Sequence, residues 1–498
     1  MGDDSGSRPA DHRAHRPWLA AALSFLFPGA GQAYAGDRHG AAIFAVPALV
    51  LLVLGAAFLF GPLELQRNTI LSTRFLIAVL VLNALVFALR AAAISHAGLR
   101  LGASAERRRR RTLGAVGALL VATVAMHTWV GVVIVQLEGT LSEVFSGADP
   151  GIRDPDASAA PAGSQEPGAP PATPLPRWDG TERLNFLLLG TDAAPGRQAV
   201  LTDVILLVSI DPVAETAVMV SVPRDTGYVP LPDATVHADG LFPDKVNGLM
   251  ATATRRAEVW CPDLEEDPSG CGLRTIEESI GLYLGVEIHH YALIDMAGFA
   301  ELIDALGGVE LCLPGRLVDP EFDGSLENEE VLEPLVLPAG CHHYNGIDAL
   351  AYARSRKGWI EMPDGERVPQ SDFTRSERQQ LLLLVLRREV AQADTFLELP
   401  AVLSAISRTV STDFPRDRAG ELASLLPLIT GPDIDRLVLD YPDYVDLPRQ
   451  PEVNYLLEPK RDAIRDTMAE TFGEDALRGW YLGTTADGPT SEPAAISP

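Results

Sequence analysis

Arginine is concentrated in two short segments of this chain, at spacings that would bring the side chains together. Arg354 and Arg356 stand two residues apart, and Arg375 precedes Gln379 by four residues. On an extended segment, residues two apart point to one face, and on a helix residues four apart share a face. Planar guanidinium groups bind phosphate oxygens through paired hydrogen bonds. The two segments therefore predict a cluster of fixed positive charge in a part of the chain that is otherwise acidic.

Carboxylates and further cations stand where apolar runs begin or end. The segments are Gly190-Thr191-Asp192, Thr202-Asp203, Pro223-Arg224-Asp225, Asp244-Lys245-Val246-Asn247 and Ser371-Asp372. Aspartate also favours turns and helix N-caps, which is the simpler interpretation of Asp192, Asp203 and Asp372. The sequence suggests no Ser-His-Asp or Cys-His arrangement, so we expect no covalent intermediate.

Strands and helices must position these polar segments. Apolar runs predict strands at 185–190, 204–210, 217–222, 291–294 and 309–313, and helical spacing predicts helices at 275–284 and 298–306, the latter stopped by Gly307-Gly308. The alternation implies an α/β sheet covered by helices on both faces.

The motifs follow one another in a fixed order along the chain. The order is Gly-Thr-Asp, a second Asp, Pro-Arg-Asp, Lys-x-Asn, Gly-Gly-Val, Arg-x-Arg and Arg-x-x-Arg-Gln-Gln. Over residues 183 to about 445, this set resembles the LytR-CpsA-Psr family of cell-wall glycopolymer transferases. Each motif alone is weakly diagnostic, whereas the ordered set is specific.

The resemblance implies a three-layer α/β/α domain, outside the membrane, that transfers a glycopolymer from a polyprenyl-pyrophosphate carrier to a peptidoglycan hydroxyl. It implies that Arg224 and Lys245 complete the arginine clamp. It also implies that Asp192 and Asp203 bind Mg²⁺, an ion that takes one or two carboxylates together with substrate phosphates. The acceptor hydroxyl would attack the phosphorus in line, and polyprenyl phosphate would leave.

The residues expected at the reacting groups are Arg224, Arg354, Arg356, Arg375, Gln379, Asp225 and Asp372. Asp225 and Asp372 are the candidates for the general base. Lys245, Asn247 and Arg378 are expected to bind substrate, although Arg378 could instead be a solvated helix residue or an outer partner.

The lipid tail of such a donor needs an apolar tunnel. Helical spacing from Arg375 and Gln379 leads to Leu382, Leu383 and Leu386, and a second apolar stripe consists of Ile276, Ile280 and Leu284. Such stripes are usually core, and the resemblance is what supports a tunnel. We expect Leu382, Leu386 and Ile280 to contact the lipid.

Two departures from the family pattern stand out. The second carboxylate commonly follows Arg-Ser, whereas this chain has Leu201-Thr202 before Asp203, and Arg197 is a possible substitute for the missing arginine. The segment 251–272 is longer than usual. We expect residues 257–272 to form an acidic insertion beside the site that shapes acceptor choice or acts as a lid.

Charge divides the chain near residue 140. The chain has a net charge of -27, with about +6 in residues 1–140 and -33 in the remainder. So acidic a chain argues against general nucleic-acid binding, which needs a surplus of Lys and Arg. The basic, apolar front end instead predicts a membrane anchor that carries a polar domain.

Three apolar runs, at about 41–60, 75–97 and 113–135, are each long enough to span the hydrocarbon core. Arg107 to Arg111 precede the third run, and Arg13 and Arg16 lie near the N-terminus. By the positive-inside rule, both basic segments lie in the cytoplasm. Three crossings then place the remainder outside the cell, so we expect a multi-pass protein of the cell membrane.

The remaining segments complete the predicted organisation. Residues 18–36, with Pro28, Gly29 and Gly31, predict an interfacial or re-entrant hairpin. We expect residues 1–140 to hold the cytoplasmic N-terminus and the spans, 141–180 a linker rich in Pro, Ala and Gly, 181–470 the catalytic domain and 471–498 a tail.

All four cysteines lie in the part expected outside the cell, where they can pair. Three connectivities are possible, of which we favour Cys261–Cys271 and Cys312–Cys341. Zinc binding is the alternative, but the spacing lacks the usual two-residue Cys pairs.

Two other functions are compatible with this sequence. A pyrophosphatase would hydrolyse the same lipid-linked donor with water as acceptor. A non-catalytic binder of wall glycolipids, acting as an envelope regulator, would keep the clamp without turnover, and the missing arginine before Asp203 is consistent with that role.

Overall fold

The structure is a computed structural model of the chain, and it describes only part of the residues. These are residues 16–59, 69, 71–100, 106–146, 183–192, 200–264, 267–322, 334–392, 399–419, 421–422, 425, 434–448, 455–473 and 477. The chain forms two compact units, Met1–Gly139 and Thr140–Pro498. The predicted linker and tail lie almost entirely outside the described residues.

The first unit is helical. Its elements are α1 Pro17–Leu26, α2 Ala30–Tyr34, α3 Arg38–Leu59, α4 Thr73–Arg100 and α5 Glu106–Val144, the last of which continues into the second unit. Within the described residues, α3, α4 and α5 are long and apolar enough to cross a membrane, at the positions that the apolar runs predict. Leu52, Val53 and Leu54 are each 61% exposed, which suits side chains that face lipid. The number and direction of crossings stay predictions.

The helical structure is interrupted between α1 and α2, at Pro28 and Gly29. Gly29 has a φ of 96°, which a residue with a side chain rarely adopts. Gln32 is 1% exposed, accepts a hydrogen bond from Ser24 Oγ at 2.9 Å and donates one to the carbonyl of Ala93 at 2.9 Å. Gly-Gln in this segment therefore has a structural role, because the glutamine joins α1, α2 and α4.

The second unit is a mixed α/β domain. In chain order its elements are β1 Leu184–Thr191, β2 Thr202–Asp211, β3 Thr216–Ser221, α6 Leu249–Arg255, α7 Ala257–Trp260, α8 Pro268–Leu284, β4 His290–Asp295, α9 Met296–Ala305, β5 Val309–Leu313, β6 Arg316–Asp319, β7 Leu335–Leu337, β8 Gly340–Tyr344, α10 Gly346–Arg354, β9 Trp359–Glu361, β10 Arg367–Pro369, α11 Asp372–Gln392, α12 Leu399–Thr409, β11 Val410–Thr412, β12 Ile434–Val438, β13 Val445–Asp446, β14 Glu458–Pro459 and α13 Arg461–Phe472. All predicted strands and helices are present.

The main sheet has the order β11-β4-β1-β2-β3-β12. β1 pairs with β4 in parallel and with β2 in antiparallel fashion, and β3 is antiparallel to β2 and parallel to β12. This topology places the C-terminal ends of β1, β3 and β4 beside the start of β2. Polar segments far apart in sequence therefore meet at one edge of the sheet.

Helices cover both faces of the sheet, as predicted. Neighbouring residues of a strand point to opposite faces, so a strand that is apolar along its length needs a cover on each face. On one face Leu187 and Leu189 pack with Ile276 of α8 and Ile464 of α13. On the other face the core contains Phe414 and side chains of α11. The domain thus has the three-layer α/β/α arrangement.

Both favoured disulfides are present. Cys261–Cys271 joins α8 to the residue that follows α7, and Cys312–Cys341 links directly paired residues of β5 and β8. The described residues contain no free cysteine.

Candidate active site

The first feature of the site is an irregularity at the start of β2. Gly190 pairs with Val204 and Thr191 pairs with Thr202, so Asp203 is one extra residue on β2. A β-bulge of this kind bends the strand and redirects a side chain. The Asp203 carboxylate lies 2.9 Å from Nη1 of Arg224, beyond the end of β3.

Arg224 lies among three carboxylates. Its guanidinium is 3.6 Å from Oδ1 of Asp372 and 3.8 Å from Oδ1 of Asp225, in addition to the contact with Asp203. Burial alone would lower the pKa of Arg224, but Asp203, Asp372 and Asp225 outweigh burial and raise it. Arg224 is therefore a fixed positive charge.

Asp372, the first residue of α11, contacts three arginines. Its Oδ1 lies 3.0 Å from Nη1 of Arg375, 3.6 Å from Arg224 and 4.0 Å from Nη1 of Arg356. Arg375 is 4% exposed, and burial is the main cause that lowers its pKa, with Asp372 opposing it. A further anion beside Arg375 would therefore be stabilised.

These side chains surround a polar cavity of about 440 Å³. Its lining residues are Asp192, Asp203, Arg224, Met296, Asp319, Glu321, Phe322, Arg354, Arg356, Lys357, Arg375 and Gln379. We call this space the polar cavity. It brings together both expected metal ligands and five of the residues expected at the reacting groups.

The prediction that Arg354 and Arg356 share an extended segment was wrong. Arg354 is the last residue of α10, and Ser355 is the C-cap that ends the helix before Arg356. Both arginines nevertheless line the polar cavity. The end of a helix, rather than strand alternation, brings them there.

Lys245 and Asp225 pair with each other beside the arginine cluster. Nζ of Lys245 lies 2.7 Å from Oδ1 of Asp225, whose side chain is 5% exposed. Asn247 Nδ2 lies 3.4 Å from Oδ1 of Asp203. None of these three residues is in the lining of the polar cavity, but Asp225 contacts the lining residue Arg224 and Asn247 contacts the lining residue Asp203.

Arg378 takes the outer-partner role rather than the predicted substrate-binding one. It is 5% exposed, and it donates to the carbonyls of Tyr352 (2.9 Å) and Ser355 and to the side chain of Gln370. Arg378 thus forms these hydrogen bonds with other residues of the protein.

A second cavity of about 70 Å³, which we call the apolar cavity, adjoins the polar one. Met296, Arg354 and Gln379 line both, and the other residues of the apolar cavity are Leu188, Gly190, Val204, Ile294, Phe299, Leu350, Ala353, Leu382 and Leu383. The expected continuation of the arginine site along α11 is therefore present at Leu382 and Leu383.

Two of the residues expected to contact lipid lie elsewhere. Leu386 is buried in the core between the helices, one turn beyond the apolar cavity. Ile280 is fully buried with Leu187 and Leu189, on the face of the sheet opposite Leu188. The stripe on α8 is core, and our expectation for Ile280 is corrected.

The residues present fit a magnesium ion that is bound jointly with a substrate phosphate. Asp192 and Asp203 both line the polar cavity, and their carboxylates carry the hard oxygen atoms that Mg²⁺ takes together with substrate phosphate. Within the described parts of the chain, no group of three or more His, Cys, Asp or Glu could hold a metal alone.

Several lining residues were not predicted from the sequence, among them Met296, Asp319, Glu321 and Lys357. Asp319 ends a strand just as Asp192 does, and Lys357 directly follows Arg356. These positions in the sequence could have pointed to Asp319 and Lys357 as lining residues.

The departures from the family pattern are partly explained. Thr202 is fully buried, and its hydroxyl donates to the carbonyl of Asn247 at 3.1 Å, which ties β2 to the Lys-x-Asn segment. Arg197 lies outside the described residues. The segment 257–272 forms α7 and the start of α8, and its described residues contribute none of the lining side chains of the polar cavity.

Comparison with known proteins identifies relatives of the domain. The model of the LytR_cpsA_psr family matches residues 158–466, more than half of the chain. Cell wall biosynthesis protein LcpA of Corynebacterium glutamicum is 30% identical over 231 residues, covering 45% of this chain and 39% of that protein.

Two further relatives have different names. A polyisoprenyl-teichoic acid–peptidoglycan teichoic acid transferase, TagU of Halalkalibacterium halodurans, is 27% identical over 48% of this chain and 64% of its own length. Regulatory protein MsrR of Staphylococcus aureus is 29% identical over 47% of this chain and 57% of its own. The chain thus spans less than two thirds of each of these relatives.

The crystal structure of B. subtilis TagV is 24% identical to this chain. It covers 58% of this chain and 97% of the TagV chain, with a TM-score of 0.41.

Proposed function

This chain belongs to the LytR-CpsA-Psr family, and we propose on that basis that it transfers a glycopolymer from a polyprenyl-pyrophosphate carrier to a hydroxyl of peptidoglycan. The observation that carries the proposal is the junction of the two cavities. Four arginines line the polar one, and Arg354 and Gln379 also border the apolar one. A lipid pyrophosphate has the same two parts, a charged diphosphate joined to a hydrocarbon.

In the proposed reaction the acceptor hydroxyl attacks the phosphorus that carries the donor sugar. The bridging bond from that phosphorus to the polyprenyl phosphate breaks, and polyprenyl phosphate leaves with the electron pair. Arg224, Arg356 and Arg375 bind the non-bridging oxygens and the leaving group, where negative charge develops. Asp192 and Asp203 would hold Mg²⁺, which when bound neutralises phosphate charge.

The hydroxyl must lose its proton during the attack. Of the two carboxylates considered for this role, Asp372 is the better placed, since its side chain is 22% exposed and contacts cavity-lining arginines, whereas Asp225 is 5% exposed and paired with Lys245. Asp372 therefore accepts the proton, and Asp225 fixes Lys245 and Arg224.

The three long apolar helices of the first unit would anchor the protein in the cell membrane. A donor with a polyprenyl tail resides in the same membrane. With the N-terminus inside, the second unit meets both the lipid-linked donor and the wall polymer outside the cell.

The proposal is tested with the full chain in detergent micelles and a short-chain prenyl-pyrophosphate oligosaccharide. Release of prenyl phosphate is measured with and without Mg²⁺ and with and without peptidoglycan fragments. Release that needs Mg²⁺ and a peptidoglycan acceptor, and that is lost in Asp203→Ala, supports the transferase.

Two other outcomes would overturn the proposal. Equal release without any acceptor would identify a pyrophosphatase. Tight donor binding without release would identify a glycolipid binder. Arg316→Ala is the matched control, because this arginine forms a surface ion pair with Glu361 and is 53% exposed.

A further inference from the structure

The turn between α10 and β9 carries three of the cations that line the polar cavity, namely Arg354, Arg356 and Lys357. A turn has few backbone hydrogen bonds of its own, so something else must hold it in place. Two oppositely charged side chains do so, and both are buried.

On one side lies Asp319, the last residue of β6, which is 1% exposed. Its Oδ2 accepts hydrogen bonds from Ser355 Oγ at 2.8 Å, the Arg356 backbone N–H at 3.1 Å and the Lys357 backbone N–H at 3.2 Å. Its Oδ1 accepts one from the backbone N–H of Glu321 at 3.2 Å. One carboxylate thus ties two lining segments together.

On the other side lies Arg378, which donates to the carbonyls of Tyr352 and Ser355. Tyr352 is in the last turn of α10, whose final carbonyls lack partners within the helix. A cation beside them is also favoured by the helix dipole. Asp319 therefore accepts hydrogen bonds from N–H groups of the turn, and Arg378 donates hydrogen bonds to carbonyls at the same turn.

Close backbone contact reinforces this placement. Gly358 follows the turn, and a Cβ atom added there would lie 1.8 Å from the carbonyl oxygen of Val318 in β6. The salt bridge between Lys357 and Glu321, at 3.0 Å, joins the same two segments at the rim. The turn is consequently held against β6 along its length.

Burying two charges is costly unless each is well hydrogen-bonded. A turn that only closed the chain could be held by neutral side chains. The charges are explained if the turn must hold cations in a fixed direction before substrate arrives.

We propose that Asp319 and Arg378 are positioning residues, which fix the Arg354–Lys357 turn so that Arg354 and Arg356 point into the polar cavity. This inference rests on the proposed transferase function. Neither residue needs to contact substrate, because both act through the turn.

The test is a double-mutant cycle between Asp319→Asn and Arg356→Ala, measured in the full chain as prenyl phosphate release. An asparagine keeps an oxygen acceptor but loses the charge and places an N–H group against other donors. A small displacement of a catalytic group costs about 100-fold in rate, so we expect Asp319→Asn to lower kcat/KM for the donor by about that factor. In the Arg356→Ala background the same change should cost about 3-fold or less, since coupled residues are not additive.

Equal losses in both backgrounds would overturn the inference. Asp304→Asn is the matched control, because Asp304 accepts the backbone N–H of Gly346 at the other end of α10, at 2.7 Å. A loss from Asp304→Asn as large as that from Asp319→Asn would also overturn it. Ser355→Ala, which removes only one donor to Asp319, should cause a smaller loss than Asp319→Asn.

A second measurement does not depend on turnover. Amide hydrogen exchange at Arg356 and Lys357 should be at least about 10-fold faster in Asp319→Asn and in Arg378→Gln than in the wild type, since a weakened hydrogen bond opens more often. Unchanged exchange would overturn the inference. If the wild type releases no prenyl phosphate, the proposed function fails, and the exchange rates still decide whether these residues hold the turn.

Discussion

The polar and the apolar cavity are neighbours that share Met296, Arg354 and Gln379 of three helices, yet they differ in size and in polarity. The polar cavity has about 440 Å³ and is lined by arginines and carboxylates, whereas the apolar cavity has about 70 Å³ and is lined mainly by aliphatic residues. Along α11, Arg375 and Gln379 precede Leu382 and Leu383 on the same face. The order of residues on one helix face thus sets the direction in which a lipid pyrophosphate would lie.

The two cavities should also contribute differently to the reaction. Charge that develops in a transition state is stabilised strongly by preorganised donors in a site that excludes water. Apolar contacts act equally on the substrate and the transition state, and so they affect binding more than rate. Variants of the two cavities should separate these effects.

The largest effect is expected at Arg375. Arg375→Ala should lower kcat by about 1,000-fold, since it removes a buried donor and leaves Asp372 without its closest arginine. Steady-state release of prenyl phosphate is the measurement, with Arg316→Ala as the control. A loss below about 10-fold would show that Arg375 is structural rather than part of the clamp.

A smaller effect is expected at Asp203, which also lines the polar cavity. Asp203→Asn should lower kcat by about 100-fold, because it removes a proposed ligand of Mg²⁺ and the partner of Arg224. The Mg²⁺ concentration that gives half-maximal rate should rise in the same titration. An unchanged metal dependence would assign Asp203 to holding Arg224 alone.

The apolar cavity should show a different signature. Leu383→Ser should weaken binding of a long-chain donor by about 10-fold, as expected from losing part of a partly buried leucine side chain. A donor with a very short prenyl chain should bind equally to both proteins, with kcat nearly unchanged. Equal losses for both donors would mean that the lipid does not occupy this cavity.

Glu277 lies outside the lining of both cavities and provides a contrast with them. It is a half-buried carboxyl whose charged neighbours are carboxyls rather than arginines. Burial, with added repulsion from Asp413 and Glu278, raises the pKa of Glu277 to about 8. The unfolded chain releases this proton near its ordinary pKa of 4.5, so stability should fall as the pH rises from about 4.5 to about 8.

Glu277→Gln should remove this slope. The midpoint of thermal melting should be higher for the variant than for the wild type at pH 8.5, and the two midpoints should be nearly equal at pH 5. Each unit of difference between the folded and unfolded pKa corresponds to about 1.4 kcal/mol in the free energy of unfolding. Activity at the site should not change. A variant that melts no higher than the wild type at pH 8.5 would contradict the assignment.

Much of the domain followed from local patterns. The strands 185–190, 204–210 and 217–222 were predictable because continuous apolar runs of this length pack within a sheet. The helix at 275–284 and its role as core were also available from its spacing, but the resemblance drew attention to Ile280 as a lipid contact. The face of the sheet on which a helix packs depends on connections that the stripe itself does not encode.

The residues that arrange the site illustrate the same limit. Arg375 and Arg378 are three positions apart in one motif, and only the packing of α11 separates the cavity-lining arginine from the one bonded to the carbonyls of α10. The bulge that exposes Asp203 depends on pairing with β1, which is a relation between two strands.

Residue types and their near spacing were enough to predict the family, the order of the motifs, the apolar helices and the chemistry of a cationic, carboxylate-bearing site. Which arginines face the cavity, which are held inside, and the contacts of Asp319 with the turn depend on the three-dimensional packing. Burial and side-chain direction arise from contacts between residues far apart in the chain. A pattern read along the chain cannot fix them.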